Sequence, residues 1–280
     1  MAYGNITLTS GMRQNLVSLQ KTNSLMEITQ TRLASGKKVN TALDDPVKYF
    51  AALGHTNRAS DLAARKSEMG EGIQTIKAAN NGIEAIVSLI DSAKSTAQSA
   101  AAIDVCTTPA SQNATDRSAL ADQFDELLNQ IDTLAADSGY KGINLLASGS
   151  LKVEYDERGD SFSTITGFAA DANTGLGIAD ANAAWLAAAD VTTSIDHLDT
   201  AKANLRSESQ TLSSSLSTIT TRQDFTKNMI NTLEDGASDL VNADMNEEGA
   251  NMLMLQTRQA LGTTSLSLAS QAAQSVLRLF

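Results

Sequence analysis

Apolar residues recur at alternating intervals of four and three along most of this 280-residue chain. The longest line starts at Val191 and passes through Leu198, Leu205, Leu212, Ile219, Ile230 and Leu233 to Leu240. That spacing keeps the side chains on one narrow stripe of an α-helix, and only another helix lying alongside can cover such a stripe. At a rise of about 1.5 Å per residue the element is roughly 75 Å long. The residue supply fits long helices. Hydrophobic residues make up 42% of the chain but aromatics only 4%, and there are two prolines, so Ala, Leu, Ile, Val and Met must fill the seams and a loop-rich β architecture is disfavoured.

Four more segments carry the same period. Near the N-terminus Met12, Leu16, Leu19, Asn23, Met26, Gln30 and Leu33 form one line, with Val17, Leu25 and Ile28 beside it. The pattern stops at Ser35-Gly36, where glycine suits a left-handed cap. Asp45-Pro46 then reads as an N-cap followed by proline in the first helical position. A second seam runs from Met69 through Ile76, Ile83 and Ile90 to Ala97, and a third, shorter one through Leu120, Phe124, Leu127, Ile131 and Leu134. The last passes through Met252, Leu255, Gln259, Gly262, Leu266, Ala269, Ala273, Val276 and Phe280, with Met254, Leu261 and Leu268 on an adjacent line. Between Ser148 and Gly177 the period changes to two: Leu151, Val153 and Tyr155 alternate with Lys152 and Glu154, Asp156 to Asp160 make a turn, and Phe162 to Ile165 return. The expected fold is mainly α, with long antiparallel helices in coiled-coil packing and a small β-hairpin at the mid-chain turn. Helices are expected over 46–104, 115–136 and 182–238, and the hairpin at about 148–177.

Charge excludes some partners and points to another. The formal net charge is -11, and the longest basic run is Lys37-Lys38, whereas a nucleic-acid partner needs clustered Lys and Arg. No window approaches a run of about 20 apolar residues, so no membrane segment is expected, nor is there a basic stretch and apolar core of the secretory type. Every Asp and Glu except Glu27 lies between Asp44 and Glu248. Met1 to Met26 carries only Arg13 and Lys21, and Gly249 to Phe280 only Arg258 and Arg278. If the two end helices pair, each covers one line of the other and leaves its second line facing outward, in a region without the charge to keep it soluble. Each Leu or Met covered there contributes roughly 1.5–3 kcal/mol, which an isolated helix in water does not gain. Other copies of the chain are therefore the expected cover, with both ends folding on assembly. The candidate self-assembly residues are Leu16, Leu19, Met26, Leu33, Met252, Leu255, Leu261, Leu266, Leu268, Val276 and Phe280.

The residues also meet a family pattern. From Arg32 to Pro46 the chain reads RLASGKKVNTALDDP, which resembles the N-terminal signature of bacterial flagellins, RLSSGLRINSAADDAAG, in order and spacing. Leu127 to Leu146, LLNQIDTLAADSGYKGINLL, is similar to the family's EIDRIAxxTxFNGxxLL. Asp239 to Phe280 resembles the flagellin C-terminus in Asp244, Glu247, the seam from Met254 to Gln259 and the closing LSLASQAAQSVLRLF. Pro46 and Lys48-Tyr49 depart from the usual AAG, and Leu268 to Ala273 from the usual LAQANQ. The resemblance implies a short form with little or no outer variable domain: a secreted, extracellular subunit that self-assembles into the flagellar filament for swimming. Residues 1–35 and 241–280 would form the two halves of an inner tube, 36–45 a connector and 46–240 an outer rod. A flagellar export chaperone, a filament cap and hook-junction proteins are implied partners. Family members are often O-glycosylated, which makes Ser161, Ser163, Thr164 and Thr166 on the hairpin candidates for modification.

Catalytic chemistry has little material here. His55 and His197 fall on different predicted helices, no HExxH occurs, and Gly175-Leu176-Gly177 lacks the third glycine and the strand-to-helix setting of a nucleotide loop. Cys106 is the only cysteine, so no intrachain disulfide is possible. The acid pairs Asp44-Asp45, Glu234-Asp235 and Glu247-Glu248 stand near helix ends, where capping and solvation account for them. No enzyme activity, metal or cofactor is expected. Two rival readings are a hook-filament junction protein, with similar terminal helices, and a cytoplasmic coiled-coil tethering protein, whose ends would carry more charge.

Overall fold

The computed structural model describes residues 10–104, 112–181 and 185–277; Cys106, Pro109 and Phe280 lie outside them. The described residues form helices α1 (Ser10–Ser35), α2 (Pro46–Ala101), α3 (Gln112–Asp137), α4 (Ala188–Val241) and α5 (Met245–Leu277), and strands β1 (Ser150–Glu154) and β2 (Phe162–Thr166). The fold is mainly α with a small mid-chain hairpin, as the periodicity predicts. Two compact units divide the chain, one of Met1–Arg58 with Asn231–Phe280 and one of Ala59–Ile230. Both divisions fall inside helices, α2 and α4, because a helix can change partners without a break in its backbone.

In the Ala59–Ile230 unit, α2 is buried over a wider stripe than its strongest seam suggests. Beside Met69, Ile73, Ile76, Ile83, Ile90 and Ala97, a second line through Gly72, Ala79, Ile86, Ala93 and Ala100 is also buried. Glycine and alanine give little hydrophobic signal, yet they let neighbouring helices approach closely. Phe124, Leu128 and Ile131 of α3 and Leu198, Leu205, Leu212 and Ile219 of α4 join the same core. The α2–α4 pairing is antiparallel. Asp91 meets Lys202 and Lys94 meets Asp199, each at 2.5 Å, while Ser209 donates to Asn80 Oδ1 at 2.9 Å and Gln223 to the Lys66 carbonyl at 3.2 Å. Partner numbers fall on α4 as they rise on α2.

The hairpin is antiparallel, with Leu151 opposite Ile165 and Val153 opposite Ser163. Leu151, Val153 and Ile165 point inward. Gly72 of α2 makes room for them: a Cβ there would lie 2.9 Å from Val153 Cγ2. The strands end at Thr166, short of the expected 148–177. From Gly167 to Ala181 the chain is irregular: Gly167, Phe168 and Ala170 donate to the carbonyls of Gly149, Leu145 and Leu146, while two N–H groups go to α3 carboxylates, Ala172 to Asp132 Oδ1 at 2.6 Å and Ala181 to Asp125 Oδ1 at 2.8 Å. At one end of the core Arg117, almost fully buried, donates to the carbonyls of Trp185 (2.6 Å), Ile103 (2.8 Å) and Ala187 (3.3 Å). The Trp185 ring lies 4.8 Å from that of Phe124, and its Nε1 donates to Ser194 Oγ.

Candidate interaction surface on the terminal helices

α1 and α5 pair antiparallel within the unit that holds both chain ends. Asn15 Nδ2 donates to Ser265 Oγ at 3.2 Å, Gln259 Nε2 to Asn23 Oδ1 at 2.9 Å, and Arg32 Nη1 to Glu248 Oε1 at 3.0 Å. On α5 the covered line runs through Glu248, Met252, Leu255, Gln259, Gly262, Leu266, Ala269 and Ala273, the line the sequence predicts with Glu248 added. On α1 it runs through Met12, Asn15, Leu19, Thr22, Met26, Thr29 and Leu33.

The α1 line differs from expectation by a rotation of one residue at three positions. Met12, Leu19, Met26 and Leu33 are common to both lines, but Thr22 and Thr29 are buried, while Leu16 is 41% exposed and Asn23 and Gln30 are exposed. Both lines obey the 3.5-residue period. Small side chains take the contact because they let α5 come close, and Thr22 Oγ1 donates to the Ser18 carbonyl at 2.9 Å, so its burial strands no donor.

Each helix is left with an outward apolar face. On α1 it comprises Leu16, Val17, Leu25 and Ile28, and on α5 Leu253, Met254, Leu261 and Leu268, from 39% exposed at Leu25 to 67% at Leu253 and Leu261. The candidate assembly residues thus divide. Leu19, Met26, Leu33, Met252, Leu255 and Leu266 are taken up on the covered lines of α1 and α5, whereas Leu16, Leu261 and Leu268 face outward. Val276 falls in the last turn of α5 with its side chain outside the described part, and Phe280 lies outside it altogether. Leu253 and the exposed Leu43, Val47 and Phe50 belong to no predicted line.

The links from this pair into the long helices are fastened to each other. Gly36 turns the chain at φ 69° and donates to the Arg32 carbonyl at 2.8 Å. Lys38 and Val39 then donate to the Val241 carbonyl (2.7 and 3.2 Å), and Ala243 to that of Gly36 (2.9 Å). Asp44 Oδ2 accepts from the N–H groups of Thr41 (2.9 Å) and Asn40 (3.0 Å) and from Thr41 Oγ1 (3.2 Å). Asp45 Oδ1 accepts from Lys48 N–H at 3.1 Å, capping α2 ahead of Pro46, and Asp244 Oδ1 caps α5 through Asn246 N–H at 2.8 Å.

The donors from Thr41, then Asn40, hold the Asp44 carboxyl below the usual Asp range, with a smaller contribution from the Arg32 charge. A depressed folded-state pKa lends stability that is complete above the ordinary Asp value, about 3.9, and is lost as pH falls through the lower folded value. Amide exchange at Asn40 and Thr41 should therefore stay protected down to about pH 4 and lose protection below it, relative to amides inside α2. In Asp44→Ala the same loss should be present at neutral pH.

On the hairpin Thr164 and Thr166 are exposed and Ser161 and Ser163 half-buried. Among the described residues no group of three or more His, Cys, Asp or Glu side chains could hold a metal, and no helix is long and apolar enough to cross a membrane.

The bacterial flagellin N-terminal helical region matches residues 8–150, and the flagellin C-terminal helical region matches residues 195–280. The chain belongs to the flagellin family. Flagellins FljK and FljM of Caulobacter vibrioides are each 30% identical to it over 284 aligned residues, covering 100% of both chains. A flagellin of Brucella melitensis is 26% identical over 95% of each chain. The crystal structure of Bacillus cereus flagellin aligns with 57% of this chain and 88% of its own, at 18% identity and a TM-score of 0.44. Membership rests on the sequence matches. Flagellin is a structural family, so this chain is a structural protein and not an enzyme. The outward faces of α1 and α5 lie one in each of the two matched flagellin regions.

Proposed function

We infer that this flagellin is the structural subunit of a flagellar filament, polymerising with identical copies through the outward faces of α1 and α5. The observation that carries this reading is the conjunction of two facts about those helices: nine large apolar side chains stand exposed on their described residues, and nearly all the acidic charge of the chain lies elsewhere. Covering each such side chain contributes roughly 1.5–3 kcal/mol, and a copy of the same surface brings few ions with it, exposed Arg13, Lys21 and Glu27 on α1 and Glu247 and Arg258 on α5. In this reading residues 1–35 and 241–280 form the inner tube, 36–45 the connector and 46–240 the outer rod of an extracellular filament. Its subunits are secreted through the flagellar channel with the help of an export chaperone, and the polymer is bounded by cap and hook-junction proteins. Family resemblance supports these finer assignments.

Purified chain, concentrated in salt and seeded with short fragments of its own polymer, should grow long filaments visible by electron microscopy. Protein that stays monomeric under seeding overturns the reading. The hairpin hydroxyls of Thr164 and Thr166, with Ser161 and Ser163, are the proposed sites of O-linked sugar. An intact mass above the sequence mass by whole sugar units is the expected result for chain taken from filaments, and a mass equal to the sequence removes the sugar.

A further inference from the structure

We propose that Gly262 of α5, with the Asn23–Gln259 pair beside it, is the register key of the terminal helix pair, and that polymerisation depends on the register it sets. The proposal rests on the filament reading and deepens it by naming what positions the assembling surface.

The α1 side of the contact is nearly blind to register. Met12, Leu19, Met26 and Leu33 repeat a large apolar side chain every seven residues, and Asn15, Thr22 and Thr29 repeat a small polar one. Slid by one heptad, α1 therefore presents almost the same face. The backbone ties between 36–39 and 241–243 fix the helix ends at one extreme of the contact; along the contact itself, discrimination has to come from α5, where the covered line is irregular.

Leu19 sits over Gly262. A Cβ at that position would lie 2.7 Å from Leu19 Cδ2 and 3.0 Å from Cγ, so the branch point of the leucine, and not only its tip, would have to move. One turn away Gln259 donates to Asn23, and the ends of the contact are tied by Asn15 to Ser265 and by Arg32 to the buried Glu248. A one-heptad slip shifts α5 by roughly 10 Å. In one direction Leu19 meets Ala269, Asn23 meets Leu266 and Arg32 meets Leu255; in the other Leu19 meets Leu255, Asn23 meets Met252 and Arg32 runs past the start of α5. Either slip fills the hole under Leu19, leaves Asn23 facing an apolar side chain and strips Arg32 of its carboxylate. Asn23 is exposed, so its hydrogen bond adds little to stability; its contribution is to penalise the alternatives.

Register decides what a neighbouring copy meets. A slip would carry Leu253, Met254, Leu261 and Leu268 past Leu16, Val17, Leu25 and Ile28 by that same distance, and the combined apolar surface would no longer be the one that fits other subunits.

Gly262→Ala separates this role from local helix stability. Alanine favours the helix over glycine, so a purely local role predicts equal or better assembly. The register role predicts a critical concentration for polymerisation raised at least about tenfold by sedimentation. It further predicts that Leu19→Ala, by emptying the space above residue 262, harms the Gly262→Ala chain much less than it harms the parent. A second measurement reads register directly, in a background where Cys106 is serine. Asn15→Cys with Ser265→Cys should crosslink efficiently and Asn15→Cys with Ala272→Cys poorly, and adding Gly262→Ala should shift yield from the first pair to the second. Parental assembly by Gly262→Ala, additive effects of the two alanines, or an unchanged crosslink pattern would overturn the register key. Absence of filaments from the parent run alongside overturns the filament reading instead.

Discussion

Leu261→Asp is expected to leave the free chain folded and to abolish its polymerisation. Leu261 is 67% exposed on the outward face of α5, so in the monomer an aspartate there sits in water and changes only the helix propensity of one position, by about half a kcal/mol. In the polymer the same site forfeits roughly 1.5–3 kcal/mol of burial and takes a carboxylate out of water, which costs several kcal/mol more where no cation faces it. A total near 5 kcal/mol raises the critical concentration by more than about three orders of magnitude. Circular dichroism of the monomer should match the parent, while sedimentation and electron microscopy should find no filaments at concentrations where the parent polymerises fully. Leu266→Asp is the less informative variant. Leu266 lies on the line covered by α1, so its charge would also disturb the α1–α5 pair and a loss of filaments would have two causes. Normal filaments from Leu261→Asp would show that the outward face of α5 is not the assembly surface.

The same contrast between Leu261 and Leu266 marks what was legible in the sequence. Helices could be placed because a 3.5-residue period survives in the order of apolar residues, and some of their ends because Asp45-Pro46 and Gly36 act through local backbone geometry. The hairpin was legible from its two-residue period as far as Thr166, but not the segment beyond, where bonds to the carbonyls of Leu145, Leu146 and Gly149 and to Asp125 and Asp132 of α3 replace a regular ladder. The outward lines of Val17, Leu25 and Ile28 and of Met254, Leu261 and Leu268 followed from counting two apolar stripes where one partner covers only one. Which stripe of α1 meets α5 did not follow. Leu16 outranks Asn15 in hydrophobicity, yet Asn15 takes the contact and bonds Ser265 while Leu19 fills the space over Gly262, and that preference is a property of the pair rather than of either helix. The pairing of residues 36–39 with 241–243 runs entirely through backbone groups and leaves no trace in side-chain pattern.

Arg117→Met should lower the stability of the Ala59–Ile230 unit by about 3 kcal/mol or more, through a contact equally hidden from periodicity. The guanidinium is buried, and its partners among the described residues are three neutral carbonyls, those of Ile103, just beyond the end of α2, and of Trp185 and Ala187, just before α4. Hydrogen bonds from a charged donor to such groups are worth about 1.5–3 kcal/mol each, and deleting the donor leaves buried acceptors unpaired. Methionine keeps much of the volume, so the loss is of hydrogen bonds and not of packing. Lysine would not restore it, because one ammonium cannot present the planar fork that reaches three separated segments. Trp185 is the only tryptophan, it is fully buried, and Arg117 bonds directly to its carbonyl, so its fluorescence reports this site during urea unfolding. The expected result is a lower midpoint with an unchanged slope, since the surface exposed on unfolding stays the same. A midpoint equal to that of the parent would mean that the three carbonyls find other donors and that the tilted contact of Trp185 with Phe124 is enough to hold the ends of these helices together.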